Sequence, residues 1–396
     1  MEKKVIFHID INNAFLSWTA VKLLNEGYET DIRTIPSIIG GDEEKRHGIV
    51  LAKSPVAKKK GIKTAETIYS ARKKCPNLEI FSPDMEYYHD MSDKFFKHLE
   101  KYTPHIEKLS IDECFMDMSN LSLLYDDLVL LAYQIKEEVN ALYGFTVNIG
   151  VSSSKICAKM ASDMEKPNKV HTLFLHEIER KMWPLPVDDL YMVGKHAAEK
   201  LHNIGIHTIR DLAKTDEKDL VKLFNKHGST MWNYANGISD DLSTYNEEKN
   251  KSISISETFS TDIGEKKKLL QILYKQVDNL GKDLRKQKLY TNTIAITYKT
   301  ADFISYSKQM TLLTVTNSTE EISKYISNLF DQSWNNEKIR NIGVRFSNLT
   351  DKKQKQISIF TNNQKEENND TIQETMDRIN DKYGSSIIRQ ANLFTK

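Results

Sequence analysis

Two acids stand side by side at Asp112-Glu113, within Ser110-Ile111-Asp112-Glu113. A third, Asp10, ends a short apolar run near the N-terminus. Carboxylates a few ångströms apart raise each other's pKa and repel, so holding them together is costly unless positive charge lies between them. A divalent cation removes that cost. A third carboxylate from a distant strand would complete a two-metal site for phosphoryl transfer, which makes nucleotidyl transfer the chemistry to test for. A lone Asp-Glu pair is more often a solvated acidic turn, so the flanking residues must separate the two readings.

Val5-Ile6-Phe7-His8-Ile9 is apolar and rich in β-branched residues, the pattern of a buried central strand, with Asp10 at its C-terminal end. Asn12-Asn13 breaks the run. Phe15, Trp18, Val21 and Leu24 then recur at helical spacing. Ile106, Leu109 and Ile111 precede the acidic pair, and Phe115-Met116-Asp117-Met118 follows it. Neighbouring side chains of a regular strand point to opposite faces, so both carboxylates serve one site only if the chain turns there. The pattern predicts a hairpin tip at or beside Asp112-Glu113. Phe145–Val151 predicts another strand, with Ser152 or Ser153 capping a helix whose apolar side includes Ile156, Ala158 and Ala161.

Four segments in this order resemble the Y-family DNA polymerases, the translesion group that includes the DinB and UmuC types. They are His8-Ile9-Asp10-Ile11-Asn12-Asn13-Ala14-Phe15, Leu109-Ser110-Ile111-Asp112-Glu113-Cys114-Phe115, Gly150-Val151-Ser152-Ser153-Ser154-Lys155 continuing to Ala161-Ser162-Asp163-Met164-Glu165-Lys166-Pro167-Asn168, and Ile342-Gly343-Val344-Arg345-Phe346-Ser347. The resemblance runs from Lys4 to about Phe360. It implies an α+β multidomain fold, a right hand with a ferredoxin-like palm over residues 1–21 and 83–172 and small fingers over 22–82. A helical thumb with a helix–hairpin–helix would follow over 173–240, then a linker over 241–250 and a βαββαβ little finger over 251–355. Residues 356–396 would be a tail.

The activity implied is DNA-directed DNA synthesis past damage, error-prone and without a proofreading exonuclease. Asp10, Asp112 and Glu113 would be the catalytic acids and would hold two Mg²⁺ ions with the Ile11 carbonyl. Asn13, Ala14, Phe15, Lys58 and Lys166 would meet the nucleotide. Phe15 occupies the position where an aromatic ring blocks a ribose 2′-hydroxyl; core packing in the first helix is its other reading. Lys166 matches a lysine that reaches the triphosphate. Lys58 stands where many relatives have arginine, and Pro55 where many have a phosphate-binding tyrosine. Lysine supplies charge but not a bidentate fork. At these positions the chain is closer to the UmuC-like branch. Ala14 also replaces an aromatic that often precedes the gate. These departures support an alternative, a non-catalytic DNA- and clamp-binding relative.

Val193–Leu201 followed by Ile204-Gly205-Ile206 resembles a helix–hairpin–helix, which would turn the backbone at Gly194 and Lys195 toward a DNA phosphate. Met192 replaces the usual first glycine of that turn, and a plain helical hairpin is the other reading. The chain carries a net charge of only +1. Residues 246–360, however, hold 19 Lys+Arg against 13 Asp+Glu, a net of +6 that leaves −5 for the rest. Basic charge concentrated in one late domain suits phosphate contact, with Lys251, Arg340 and Arg345 as the candidates. Ser252–Ile255, a helix over 265–288, Thr293–Thr297, Thr311–Val315, a helix over 319–331 and Gly343–Phe346 give the βαββαβ order there.

Gln356-Ile357-Ser358-Ile359-Phe360 resembles the pentapeptide by which bacterial polymerases bind the sliding clamp, a Gln for register followed by aliphatic and aromatic anchors. An extra edge strand is the competing reading. Ile372, Met376, Ile379 and Tyr383 predict a terminal helix. Gly40-Gly41-Asp42-Glu43 is a hairpin-turn signal that also looks like the signature of diguanylate cyclases, whose metal acids would lie around that turn. Cys75, Cys114 and Cys157 have neither metal-ligand nor disulfide spacing. No signal peptide or membrane-length apolar run is present, so a cytoplasmic monomer is expected, with primer-template DNA, deoxynucleoside triphosphates and the clamp as partners.

Overall fold

The N-terminal apolar run forms β1 (Ile6–Ile11) and leads into α1 (Ala14–Asn25). Asn13 joins them in left-handed backbone (φ 52°, ψ 52°), which Asn tolerates better than most residues. These are the first elements of a computed structural model that describes residues 4–41, 48–123, 125, 127–240, 251–352, 373, 375–380, 382–384 and 387–388. The chain divides into two compact units, the first ending at residue 246 and the second running from 247.

In the first unit, β2 (Ser37–Gly40) and β3 (Val50–Lys53) pair antiparallel on either side of the expected turn; Asp42 and Glu43 lie outside the described residues. α2 (Pro55–Lys59) and α3 (Ile68–Lys74) follow, then β4 (Glu79–Phe81), which lies parallel to β2. A strand as short as Glu79-Ile80-Phe81 shows no period in sequence. Next come α4 (Met85–Leu99), β5 (Ile106–Lys108), β6 (Glu113–Asp117), α5 (Leu128–Tyr143), β7 (Val147–Ser152), α6 (Lys155–Ser162) and β8 (Val170–Thr172).

The principal sheet has the order β5-β6-β1-β7-β8. β1 is antiparallel to both neighbours, with Asp10 opposite Glu113 on one side and Asn148 on the other. Because side chains alternate, Phe7, Ile9 and Ile11 enter one core with Trp18, Phe95, Ile135 and Phe145. Ile6 and His8 face the other way with Asp10, and Ile6 packs on Ala158 of α6. Gly150, the partner of His8 on β7, lets α6 lie close to the sheet: a Cβ there would stand 2.0 Å from the Ala158 carbonyl oxygen. The cap of α6 is Ser154, not Ser152 or Ser153. Its side chain accepts from the Cys157 N–H, whereas Ser152 still belongs to β7 and its Oγ donates to the Leu173 carbonyl.

Short helices complete the unit: α7 (Ile178–Lys181), α8 (Lys195–Asn203), α9 (Ile209–Lys214), α10 (Glu217–Phe224) and α11 (Lys226–Ala235). They enclose Leu201, Ile209, Leu212, Leu220 and Met231.

The second unit runs β9 (Ser252–Ile263), α12 (Lys266–Lys286), β10 (Thr291–Thr300), β11 (Ser305–Thr316), α13 (Thr319–Ser333) and β12 (Ile339–Ser347). This is the expected βαββαβ order, in a sheet ordered β11-β10-β12-β9. Leu273 and Val277 of α12 and Ile326 and Phe330 of α13 pack on Ile294, Ile296 and Val344. Residues 375–380 are helical. There Asp377 receives two hydrogen bonds from the Arg285 guanidinium, at 2.6 and 3.2 Å, which ties this segment to α12. Among the described residues no helix is long and apolar enough to cross a membrane.

Candidate active site

The β5–β6 connection is a tight hairpin turn. The Leu109 N–H donates to the Glu113 carbonyl at 3.0 Å, and the Ser92 hydroxyl of α4 holds the Ile111 carbonyl at 2.5 Å. The Ile11 N–H donates to the Asp112 carbonyl at 3.0 Å, which stitches the turn to the end of β1. Asp112 therefore lies in the turn, Glu113 opens β6, and Asp10 faces Glu113 across the ladder. Acids separated by a hundred residues of sequence thus reach one end of one sheet, and Glu113 meets Lys159 of α6.

Each acid has a different electrostatic setting. Asp112 takes a hydrogen bond from Ser110 Oγ at 2.5 Å and has no ion pair among the described residues. Burial pushes it above the usual carboxylate range, with the Asp10 and Glu113 charges adding to the rise. Glu113 is held down at about 2 by the His8 imidazole, whose Nε2 lies 3.4 Å from Oε2, and by the Lys159 ammonium at 2.7 Å. Asp10 Oδ2 accepts from Lys166 at 2.5 Å. Lys159 and Lys166 also meet on Asp163, at 3.3 and 2.9 Å.

These residues fit a hard divalent cation in kind. Carboxylate and carbonyl oxygens are its preferred ligands, and Asp112, raised first by burial and then by the Asp10 and Glu113 charges, has no cationic partner among the described residues. As the side chains stand, Lys159 and Lys166 occupy Glu113 and Asp10, and no group of three His, Cys, Asp or Glu among the described residues closes on a common point.

The candidate nucleotide residues gather around the start of α1. Asn13 Nδ2 donates to the Lys53 carbonyl at 2.7 Å, tying that start to β3. Ala14 is buried. Phe15 is half-buried and stacks on Tyr88, with ring centroids 4.7 Å apart and planes 10° from parallel. Lys58 is exposed on α2, where Pro55 takes the first position behind the Ser54 cap. Burial and the charge of Lys58 together push Lys53 down, so an anion placed between these two ammonium groups would be stabilised.

Sequence reasoning missed three members of the site. Lys159 is buried on α6, and its only signal was the i, i+4 row Lys155, Lys159, Asp163. Asn12 and Asn148 form an amide hub. Asn12 Nδ2 donates to Asn148 Oδ1 at 3.1 Å, Asn148 Nδ2 donates to the Ser162 and Glu165 carbonyls, and the Asn168 N–H donates to Asn12 Oδ1. The loop that carries Lys166 is thereby fastened to β1 and β7. Polar residues inside apolar strands were the available sign.

The nucleic-acid candidates fall on two surfaces. Gly194 caps α8 in open space, and Lys195 begins that helix exposed. Met192 adopts φ 73°, the left-handed backbone for which glycine is ordinarily used, so the substitution keeps the turn. In the second unit, Arg345 is exposed on β12 between Ser254 of β9 and Ala295 of β10. Arg340 stacks its guanidinium 4.7 Å over the Phe303 ring, and Lys251 is exposed just before β9. Gln356, Ile357, Ser358, Ile359 and Phe360 lie outside the described residues.

The chain is similar to known proteins along nearly its whole length. Residues 9–163 match the impB/mucB/samB family, residues 250–359 match the C-terminal domain of that family, and residues 177–206 match its HHH motif. The chain is 46% identical over 394 residues to a DNA polymerase IV of Clostridium acetobutylicum, covering 99% of each. It is 34% identical to a DNA polymerase IV of Acetivibrio thermocellus, covering 99% of this chain and 98% of the relative. It is 32% identical to DNA polymerase IV 1 of Bacillus subtilis, covering 100% and 94%. In fold it resembles a Y-family DNA polymerase chimera, with a TM-score of 0.75 at 22% identity over 87% of this chain and 98% of the other. It also resembles the insertion ternary complex of Dbh DNA polymerase, with a TM-score of 0.61 at 23% identity over the same shares. The UmuC-like character at Pro55 and Lys58 thus does not extend to the whole chain, and the cyclase reading of Gly40–Glu43 is set aside. From its N-terminal strand to its C-terminal domain, the chain belongs to the impB/mucB/samB family, the Y-family DNA polymerases, in the DinB-type group.

Proposed function

We propose that the chain is a DNA-directed DNA polymerase that performs error-prone translesion synthesis, adding deoxynucleotides to a primer 3′-hydroxyl. The observation that carries this is the placement of Asp10, Asp112 and Glu113 at one end of the principal sheet, in a chain 46% identical along its length to a DNA polymerase IV. The palm is residues 1–21 and 83–172, the fingers 22–82, the thumb 173–240 and the little finger 251–355. The family is divalent-metal dependent, and the reading here is two Mg²⁺ held by Asp10, Asp112, Glu113 and the Ile11 carbonyl. When bound, the cations lower the pKa of the primer hydroxyl and stabilise the pyrophosphate leaving group.

The protein's own residues do the rest. The hairpin turn fixes Asp112 against the end of β1. His8 and Lys159 keep Glu113 ionised. Lys166, with Lys53 and Lys58, offsets triphosphate charge. Asn13 and Ala14 shape the floor beneath the nucleotide, and the Phe15 ring, backed by Tyr88, crowds a ribose 2′-hydroxyl. Gly194 and Lys195 meet template-primer phosphates from the thumb, while Lys251, Arg340 and Arg345 track the duplex from the little finger. Gln356–Phe360 bind the sliding clamp, and the work takes place in the cytoplasm, where a bacterial chromosome lies.

Primer extension with Mg²⁺ and the four deoxynucleotides tests the reaction: short, template-directed products are expected, first on plain and then on lesion-bearing templates. Firm DNA binding with no extension would favour the non-catalytic relative. For the clamp, the double variant Gln356→Ala, Phe360→Ala is expected to lose binding in a pull-down of purified clamp; unchanged binding would remove the motif.

A further inference from the structure

Asp10, Lys166, Asp163, Lys159 and Glu113 form one unbroken chain of alternating charge. The contacts along it are 2.5, 2.9, 3.3 and 2.7 Å. Its two lysines are not equivalent. Lys159 rises from the middle of α6 with a side chain 10% exposed, and α6 is held against the sheet at Gly150. Lys166 belongs to the loop after α6, and its side chain is 35% exposed. Lys159 is a fixed counter-charge for Glu113. Lys166 has four rotatable carbons, an opening to solvent, and two carboxylates within reach at once.

An ammonium 2.5 Å from Asp10 Oδ2 takes up a lone-pair direction that a hard cation on the same carboxylate would use. We propose that Lys166 competes with the divalent cation for Asp10, and that Asp163 keeps it poised between Asp10 and an incoming triphosphate. A triphosphate that draws Lys166 away frees Asp10, so nucleotide entry and cation entry are coupled through this side chain in addition to their direct attraction. Coupling of this kind is reciprocal: whatever loosens Lys166 from Asp10 tightens the cation. The inference rests on reading Asp10 as a cation ligand.

The test is Mn²⁺ binding to the full chain without nucleotide, followed by the electron paramagnetic resonance of free Mn²⁺. Five proteins are compared: wild type, Lys166→Gln, Lys166→Ala, Lys169→Gln and Asp112→Asn. Lys169 lies three positions on, paired with Glu165 at 3.4 Å, and so reports the bare loss of a nearby charge. Lys166→Gln is expected to tighten Mn²⁺ by about fivefold or more, within the usual range of site coupling, while Lys169→Gln changes it little. Lys166→Ala, run beside it with unfolding curves, is expected to tighten Mn²⁺ in the same direction. Equal tightening in Lys166→Gln and Lys169→Gln, or none in either Lys166 variant, overturns the coupling. Asp112→Asn separates the two claims. If it weakens Mn²⁺ while the Lys166 variants do nothing, the cation site stands and the coupling fails. If it leaves Mn²⁺ unchanged, the cation site fails and the coupling with it.

Discussion

Phe15 is fixed before any substrate arrives. Its ring lies flat on Tyr88, which is fully buried and shares a 2.7 Å hydrogen bond with Thr19. If the ring is the proposed gate, it discriminates by steric exclusion, a difference worth about 1–3 kcal/mol for a small group in a pocket. Phe15→Ala is therefore expected to raise the ratio of kcat/KM for ribonucleotides over deoxynucleotides by roughly tenfold or more. An unchanged ratio with lower stability would make Phe15 a core residue only. Glu113 carries a pH signature. Its carboxyl lies at about 2 in the fold against an ordinary 4.5, so it contributes stability that is present above 4.5 and lost as pH falls toward 2. A displacement of that size corresponds to something on the order of 3 kcal/mol. In EDTA, the gap in unfolding free energy between wild type and Glu113→Gln is expected to close as pH drops through that window. A gap independent of pH would mean that His8 and Lys159 do not hold the carboxylate as described.

At the scale of elements, the site depends on how closely α6 approaches the sheet. Gly150 leaves no room for a side chain: a Cβ would meet the Ala158 carbonyl oxygen at 2.0 Å and the Ser162 nitrogen at 2.6 Å. Gly150→Ala is expected to push α6 outward and cost about 1–3 kcal/mol, measured by urea unfolding. Extension activity should fall with it, because the same helix delivers Lys159 to Glu113 and leads into the Lys166 loop. A stable, fully active Gly150→Ala would show that the helix has slack. The elements were readable in the sequence to different degrees. The β1 strand announced itself through a short apolar, β-branched run, and the α12 and α13 helices through sustained periodicity. β4 was too short to show a pattern. The cap of α6 was misplaced because three consecutive serines offer equivalent caps, and only the length of β7 decides that Ser154 has left the ladder.

Over the whole molecule, the chemistry was more legible than its support. Asp10, Asp112, Glu113, Phe15 and Lys166 could be named because each sits in a short stretch of characteristic residue types. Lys159, Asn12 and Asn148 could not, since their roles depend on which strands become neighbours, and register is a tertiary outcome. Met192 departs from the usual glycine of a helix–hairpin–helix turn, yet its backbone adopts the left-handed conformation for which glycine is ordinarily used. Basic charge in the second unit was visible as a count, whereas the exposure of Arg345 between Ser254 and Ala295 emerges only from strand order. Three carboxylates, gathered by one sheet and one hairpin, are proposed to make this chain a polymerase. The most direct measurement is primer extension by wild type beside Asp112→Asn, with primer-template affinity measured for both. Distributive extension by wild type, none by Asp112→Asn, and nearly equal DNA affinities are the expected result. Extension by Asp112→Asn at a rate near wild type would contradict it.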